Sequence, residues 1–274
     1  MQNKYRAVFL DLDGTLLAPG AQLTARNMAC IRALKKKGIP VIIATGRPIQ
    51  SVRNLLGGIL DGDPVITLSG SMIHHSLFGE ELYAAQIAFE TVHSLVETCR
   101  SMEGVENVLL DESGGFYALH DNPELDEFVG MYQKKPTIFN YDAIPVGPVL
   151  SILVHAKEAR RQVYTQLQEL FGESLHFTYF REYPWIELSH LSSNKGTALE
   201  IACKHLGIRP EEVIAIGDGA NDLEMIARAG LGVAMSNADD EVKAIADEIA
   251  PHHAADGVAQ FLESMFGLEN TVGV

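Results

Sequence analysis

The sequence has few cysteines, and it has fewer basic than acidic side chains. Its three cysteines, Cys30, Cys99 and Cys203, are odd in number and far apart, so we expect no disulfide framework and interpret them as reduced thiols that fill apolar cores. Lys and Arg number 21 against 36 Asp and Glu, which gives a formal charge of −15. Such a charge repels nucleic acid and anionic membranes.

Long hydrophobic runs, internal repeats and low-complexity segments are also missing. No apolar run approaches the roughly 18 residues of a membrane-spanning helix. Asp11 and Asp13 interrupt the N-terminal apolar segment, which argues against a signal peptide. With 274 residues, 47% of them hydrophobic, the chain suffices for one large domain or two unequal ones. We expect a cytoplasmic globular protein, a monomer or homodimer, that binds a small molecule.

Residues 7–17, AVFLDLDGTLL, form an apolar run that ends on two carboxylates. The run predicts a buried strand whose side-chain alternation would point Asp11 and Asp13 the same way. Two ionised carboxylates this close repel each other unless a divalent cation lies between them or one is protonated. Gly14 permits a tight turn, which the Thr15 hydroxyl can hold. Alone, the pattern fits an ordinary turn as well as a metal site.

The first 81 residues alternate between strand and helix patterns. Thr24 can cap a helix over residues 25–37, and residues 41–45 and 65–68 are short apolar runs typical of buried strands. Short connections between them predict a parallel sheet, whose ligands bind beyond the carboxyl ends of the strands. Thr45 and Ser69 should therefore lie at the same edge of the sheet as Asp11.

The pattern changes over residues 82–188. Strands separated by short turns are typical of antiparallel hairpins, so this block predicts an α+β domain inserted into the first one. Helices are predicted over residues 89–101, 123–134 and 158–171, and strands over 105–110, 115–120, 149–156, 175–181 and 184–188.

Residues 189–274 return to the first pattern. Ser193 or Asn194 can cap a helix whose first turn contains Lys195. A cation there opposes the helix dipole, which favours a bound anion nearby. A buried strand then leads into Asp218, and Asp222 begins the next helix. The remaining elements are predicted over residues 213–216, 231–235, 239–246 and 256–266.

Charged and polar residues at these element ends should meet at one point. Several carboxylates around one point suit a hard cation such as Mg²⁺, whereas a lysine and a threonine suit phosphate oxygens. The order of motifs resembles the haloacid dehalogenase superfamily, in its Cof-type branch, over essentially the whole chain. The motifs are DLDGTLL at residues 11–17, ATGRP at 44–48, NKGTAL at 194–199 and GDGANDLEM at 217–225.

This resemblance implies an α/β fold with a Rossmann-like parallel sheet core at residues 1–81 and 189–274. Residues 82–188 would form an inserted α+β cap that sets substrate specificity. The implied activity is that of a Mg²⁺-dependent phosphomonoesterase acting on a small metabolite, with a sugar phosphate favoured. A phosphomutase, or a phosphatase for pyridoxal phosphate or flavin mononucleotide, is an alternative. A catalytically idle binding protein should have lost a motif residue, and none of the motif residues Asp11, Asp13, Lys195 and Asp218 is missing.

The resemblance also implies roles for individual residues. Asp11 matches the nucleophile that becomes an aspartyl phosphate, and Asp13 matches the general acid and base. Asp11 and Asp218 match the side-chain ligands of Mg²⁺, and Asp13 matches a ligand through its backbone carbonyl. Asp222 would orient Lys195 or a metal-bound water. The implied phosphate contacts are the Leu12 amide, Thr45, Gly46, Lys195 and Asn221.

Other residues keep two interpretations. Arg47 could bind substrate or hold a helix start, and Trp185 could floor a pocket or pack in the core of the cap. Ser69, Gly70 and Ser71 stand where relatives often carry Asn-Gly-Ala, which leaves hydrogen bonding at this edge open. We interpret the pairs His74–His75 and His252–His253 as surface or packing residues. The candidates for specificity in the cap are His120, Arg181, Trp185 and Glu187.

Overall fold

The computed structural model describes residues 4–60, 62–180 and 184–268. The chain divides into two compact units. The first takes the residues up to Gly46, then Val52–Leu82, then those from Asn194 onward, and the second takes Arg47–Ser51 and Tyr83–Ser193. The second unit thus ends a few residues beyond the predicted limit at residue 188.

The described residues contain fourteen strands and nine α-helices. The strands are β1 Ala7–Leu10, β2 Val41–Ala44, β3 Val65–Thr67, β4 Met72–His74, β5 Glu81–Ala84, β6 Asn107–Glu112, β7 Gly115–Ala118, β8 Thr137–Ile138, β9 Ser151–His155, β10 Leu175–Tyr179, β11 Trp185–His190, β12 Val213–Gly217, β13 Leu231–Met235 and β14 Glu248–Ala250. The helices are α1 Ala25–Lys36, α2 Ile49–Leu56, α3 Phe89–Ser101, α4 Asp126–Tyr132, α5 Arg160–Phe171, α6 Lys195–Leu206, α7 Leu223–Arg228, α8 Asp240–Ile245 and α9 Gly257–Phe266. None of these helices has the length and apolar character needed to cross a bilayer.

One sheet has eight strands in the order β14-β13-β12-β1-β2-β3-β4-β5. The pairs from β14 to β3 are parallel, and β3 pairs with β4 in the antiparallel sense. Every residue of β1, β2, β12 and β13 is buried, as expected for parallel strands covered on both faces. The predicted α/β fold is confirmed.

Both predicted helix caps beside this sheet are confirmed. The Thr24 side chain accepts from the Asn27 N–H at the start of α1, and the Asn194 side chain accepts from the Thr197 N–H at 2.7 Å. Helix α6 ends at Gly207 in the left-handed conformation, a common helix terminator. The cap at Asn194 fixes where Lys195 begins its helix.

The other sheet has six strands in the order β10-β11-β9-β6-β7-β8 and is antiparallel except for the pair β7–β8. Helices α3 and α5 cover one face through a cluster that includes Val108, Ile152 and Ile186. On the opposite face, α4 packs beside a cluster that includes Leu109 and Trp185. The predicted α+β character is confirmed, and helices cover both faces of this sheet.

Several element boundaries differ from the predictions. Strands β4, β5, β8 and β14 have two to four residues each, too few to show a period. The helix predicted over residues 123–134 is a 3₁₀ turn, Pro123–Leu125, followed by α4, which ends at Gln133 in the left-handed conformation. The cysteines are buried free thiols, as predicted.

Candidate active site

Strand register brings distant parts of the sequence to one edge of the eight-stranded sheet. In β1, Leu10 lies opposite Ile43 of β2 and Ile216 of β12. These three parallel strands therefore end at nearly the same level. The residues that directly follow them are Asp11, Thr45 and Asp218.

Lys195 joins two of these segments. It is the first residue of α6 and is fully buried. Its Nζ donates to Asp11 Oδ1 at 2.6 Å and to Asp222 Oδ1 at 2.7 Å. Asp222 Oδ2 accepts in turn from the backbone N–H groups of Asp218 and Gly219. A cation buried this completely is tolerated because two carboxylates pair with it.

The carboxylates around Lys195 are crowded. Burial raises the pKa of Asp11 well above its ordinary value, Lys195 opposes this rise, and Asp222 and Asp218 add to it. Burial likewise raises the pKa of Asp218 to about 7, with Asp222 adding to the rise and the Thr15 hydroxyl opposing it. Burial acts to lower the pKa of Lys195, but Asp11 and Asp222 raise it above its ordinary value. Lys195 is therefore charged.

The same carboxylates fit a divalent cation. Asp11, Asp218 and Asp222 each offer an oxygen within 4.8 Å of the others, and hard oxygen donors are the ligands that Mg²⁺ prefers. A divalent charge would also relieve their mutual repulsion. Asp222 already engages one oxygen with Lys195 and the other with backbone N–H groups. That arrangement suits the orienting role predicted for Asp222.

Strand alternation does not set the directions of Asp11 and Asp13, because neither residue belongs to a strand. Strand β1 ends at Leu10, and the chain turns at once, closed by a hydrogen bond from Leu17 N–H to the Leu12 carbonyl at 2.9 Å. Asp11 is buried and Asp13 is exposed, yet the charge of Asp13 raises the pKa of Asp11. The two carboxyls are thus electrostatic neighbours in different surroundings.

The turn lies against Asp218. Gly14 has φ 75°, and a Cβ there would collide with the Asp218 carboxylate, so this position requires glycine. The Thr15 hydroxyl was expected to hold the turn locally. It instead donates to Asp218 Oδ1 at 2.6 Å, and this bond joins the segment after β1 to the segment after β12.

Three of the predicted phosphate contacts, Thr45, Gly46 and Asn221, lie around Ser69. Asn221 Nδ2 donates to Ser69 Oγ at 3.2 Å, and the Ser69 N–H donates to the Thr45 carbonyl at 3.0 Å. A Cβ on Gly46 would stand 3.3 Å from Ser69 Oγ. Ser69 itself has φ 50°, a left-handed conformation that serine adopts less readily than asparagine. Ser69, whose hydrogen bonding the sequence left open, thus accepts from Asn221.

Two ambiguous residues have defined surroundings within the second unit. Arg47 Nη1 donates to Ser51 Oγ at 2.9 Å, which fits a side chain that holds the start of α2. Trp185 is 2% exposed and packs edge-on against Phe128, with ring centroids 5.1 Å apart. Trp185 therefore packs in the core of the second unit.

The other specificity candidates differ in exposure. His120 is exposed, whereas Glu187 is buried on the strand that carries Trp185. Arg181 lies outside the described residues. Substrate contacts by His120 and Glu187 stay predictions.

Three side chains that the sequence analysis missed contact the turn after Asp11. They are Asn27, Asn237 and His253. In the sequence, asparagines near a helix start or in a Ser-Asn-Ala segment indicate only local capping or turns. His253 belongs to a pair that we interpreted as surface or packing residues, so no pattern marked these contacts.

Comparisons with known proteins agree with this geometry. The chain matches the haloacid dehalogenase-like hydrolases over residues 8–262. It is 31% identical to the 5-amino-6-(5-phospho-D-ribitylamino)uracil phosphatase YitU of Bacillus subtilis, over 98% of this chain and 100% of that protein. It is 30% identical to the HMP-PP phosphatase of Klebsiella pneumoniae, over 85% of each. A solved haloacid dehalogenase-like hydrolase from Bacteroides thetaiotaomicron is 28% identical, with a TM-score of 0.81 over 96% of this chain and 100% of that one.

Proposed function

The chain belongs to the haloacid dehalogenase-like hydrolases and is a phosphatase, and on that premise we propose that it hydrolyses small phosphate monoesters through an aspartyl phosphate on Asp11. The observation that carries this proposal is the fully buried Lys195 held between Asp11 and Asp222. A buried cation beside one carboxylate of an acidic cluster is suited to an incoming phosphoryl group.

In the proposed reaction, a carboxylate oxygen of Asp11 attacks phosphorus while the bond to the leaving oxygen breaks. Asp13 gives its proton to that oxygen, and the phosphoryl group stays on Asp11. Asp13 then takes a proton from water as the water oxygen attacks phosphorus. Inorganic phosphate leaves, Asp11 regains its carboxylate and Asp13 is again protonated. The exposure of Asp13 suits a group that meets both alcohol and water.

Charge compensation falls to Lys195 and a cation. Lys195 would balance the negative charge that spreads over the phosphoryl oxygens, and Asp222 would fix its direction. The groups that would hold Mg²⁺ are the side chains of Asp11 and Asp218 and the backbone carbonyl of Asp13. Bound there, Mg²⁺ supplies the positive charge that lets an anionic carboxylate approach an anionic phosphate.

The phosphoryl oxygens would be held by groups at the edge of the sheet. We assign this role to the Leu12 amide, Thr45, Gly46 and Asn221. The contact between Asn221 and Ser69 keeps the amide in place when no phosphate is bound. Such donors position the phosphoryl group for in-line attack.

For the leaving group, we propose a small phosphorylated metabolite, with a sugar phosphate favoured. The relatives are named for 5-amino-6-(5-phospho-D-ribitylamino)uracil and for HMP-PP. Pyridoxal phosphate and flavin mononucleotide are alternatives, as is a phosphomutase reaction that would need a bisphosphate activator. We assign the choice of leaving group to the second unit, because the residues above suffice for phosphoryl transfer.

Phosphate release from a generic aryl phosphate, measured with and without Mg²⁺, tests this proposal. Asp11→Asn should lower kcat by about 1,000-fold or more, because the amide has nearly the same shape but is a poor nucleophile. Asp142→Asn is the control, since Asp142 is exposed in the second unit. An Asp11→Asn variant that keeps a tenth of the wild-type activity would rule out Asp11 as the nucleophile. A screen of phosphorylated metabolites would then identify the substrate.

A further inference from the structure

The turn after Asp11 is held from outside by side chains that the proposed chemistry does not use. Three of its backbone carbonyls each meet a side chain from elsewhere in the first unit. The pairs are Gly14 with Asn237, Leu16 with Asn27, and Leu17 with His253.

Asn237 connects the turn to the segment before α9. Its Nδ2 donates to the Gly14 carbonyl at 2.8 Å, and its Oδ1 accepts from the His253 N–H at 3.1 Å. The His253 ring continues the contact, with Nδ1 2.8 Å from the Leu17 carbonyl. Because a carbonyl only accepts, Nδ1 carries the hydrogen in this contact. Asn237 and His253 therefore hold two carbonyls of one turn.

Asn27 makes the same pair of bonds from another side. Its Nδ2 donates to the Leu16 carbonyl at 2.7 Å, and its Oδ1 accepts from the Ala259 N–H of α9 at 3.1 Å. Asn27 is 1% exposed, so its bonds form away from water. Each of the two asparagines thus links a carbonyl of the turn to a backbone N–H of the C-terminal part of the first unit.

Holding these carbonyls orients the whole turn. A peptide group is planar, so a fixed carbonyl also fixes the direction of the next N–H group. Gly14 is the conformationally freest residue of the turn, and its carbonyl is the one that Asn237 binds. Asp13 directly precedes this glycine, and Asp11 lies three residues before it. A displacement of about 1 Å between reacting groups can lower a rate about 100-fold.

We propose that Asn27 and Asn237 are positioning residues of the phosphatase reaction. By binding the carbonyls of Leu16 and Gly14, they keep the turn in the conformation that aligns Asp11 and Asp13 with the phosphoryl group. This inference rests on the roles proposed above for Asp11 and Asp13. Neither asparagine is assigned a contact with the substrate.

Two substitutions of Asn237 separate the loss of its hydrogen bonds from the effect of an added charge. Asn237→Asp keeps the acceptor for the His253 N–H but loses the donor to Gly14, whereas Asn237→Leu loses both bonds and adds no charge. We expect kcat for a generic aryl phosphate to fall about 10- to 100-fold in both variants, with KM changed less than about threefold. A loss confined to Asn237→Asp would indicate an effect of charge alone and overturn the proposal.

Asn140→Asp is the matched control. Asn140 Oδ1 accepts from the Asp142 N–H at 3.0 Å, so the carboxylate keeps this bond while adding the same negative charge, and it does so in the second unit. Its kcat should equal that of the wild type. At the buried position 27, the folded Asn27→Asp variant should show the same fall in kcat as Asn237→Asp.

Hydrogen–deuterium exchange of the peptide covering residues 12–17 gives a readout independent of activity. Exchange should be faster in Asn237→Leu than in the wild type, in the full chain under native conditions. Unchanged kcat overturns the proposal whether or not exchange rises, since a purely structural contact would leave the rate alone. A fall in kcat without faster exchange overturns it as well. A wild-type chain that releases no phosphate would instead contradict the proposed function, while the exchange experiment still decides whether Asn237 holds the turn.

Discussion

Two buried aspartates, Asp11 in the first unit and Asp111 in the second, are accommodated by different means. Asp11 is 5% exposed and accepts from the Lys195 ammonium at 2.6 Å. Asp111 is 3% exposed and accepts from the Tyr132 hydroxyl at 2.8 Å. Burial raises the pKa of both, well above the ordinary value for Asp11 and to about 7 for Asp111.

The partner of each aspartate explains the difference. A cation compensates a buried carboxylate directly, so Asp11 is held beside a permanent positive charge. A phenol stabilises a carboxylate less, and the nearby Glu187 raises the pKa of Asp111 further. The first unit therefore places a cation beside its buried carboxyl, whereas the second pairs its buried carboxyl with a neutral hydroxyl. Burying a carboxyl and a cation together costs stability, and features with such a cost are typical of functional sites.

After the loss of Asp11 itself, removing the cation beside it should produce the largest effect. Lys195→Met should lower kcat about 100- to 1,000-fold, because the charge that develops on the phosphoryl group loses its compensation. The free energy of unfolding should fall by less than the activation free energy rises, since a buried carboxyl that has lost the lysine can take up a proton. Steady-state kinetics and urea denaturation measure the two effects.

Lys204→Met is the control for this substitution, because Lys204 lies exposed in the last turn of the same helix. An unaltered kcat in Lys195→Met would mean that Lys195 serves only the structure. The contact between Asp11 and Lys195 would then stabilise the fold, as the contact between Asp111 and Tyr132 does, without a part in the reaction.

The parts of the site that follow from strand order could be predicted from the sequence. Apolar runs too short for helices placed Asp11, Thr45 and Asp218 at strand ends, and the fold brings these ends to one edge. Lys195 could be marked because a cation at a helix start needs a negative partner. The structure supplies two such partners, Asp11 and Asp222.

Contacts made across the fold could not be predicted. Asn237 binds a carbonyl 223 residues away in the chain, and an asparagine in a turn carries no local sign of such a partner. The backbone path through Asp13 could not be predicted because β1 ends one residue before Asp11, so strand alternation does not apply. Strands of two or three residues, such as β8 and β14, form because neighbouring strands pair with them, and their own sequence pattern does not predict them.

The aromatic cluster around Trp185 sharpens the contrast in the second unit. Trp185→Ala should lower the free energy of unfolding by about 3 to 5 kcal/mol, because it removes a large buried side chain that packs against Phe128 and His155. Turnover of a generic aryl phosphate by the folded variant should stay close to the wild-type value. Urea denaturation and steady-state kinetics check both statements.

Trp185→Phe should lose less stability than Trp185→Ala, since it keeps an aromatic ring in the cluster. A change in KM without a change in stability would contradict the core assignment. Trp185 would then contact substrate.

The smallest effect concerns Asp111 and appears as a pH dependence. Because its pKa is about 7 in the folded protein, against an ordinary value near 4 when unfolded, the folded state binds this proton more tightly. The contribution of the protonated carboxyl is complete below about pH 4 and is lost as the pH rises through about 7. Asp111→Asn keeps an acceptor for the Tyr132 hydroxyl and cannot ionise, so it should exceed the wild type in unfolding free energy by about 1 to 3 kcal/mol at pH 9 and by much less at pH 5.

Urea denaturation of both chains at these pH values measures the difference. Asp142→Asn, at an exposed site in the same unit, should follow the wild-type curve. If the curves for Asp111→Asn and the wild type run parallel across this range, Asp111 is already ionised at pH 5 in the folded state, and burial does not raise its pKa to about 7.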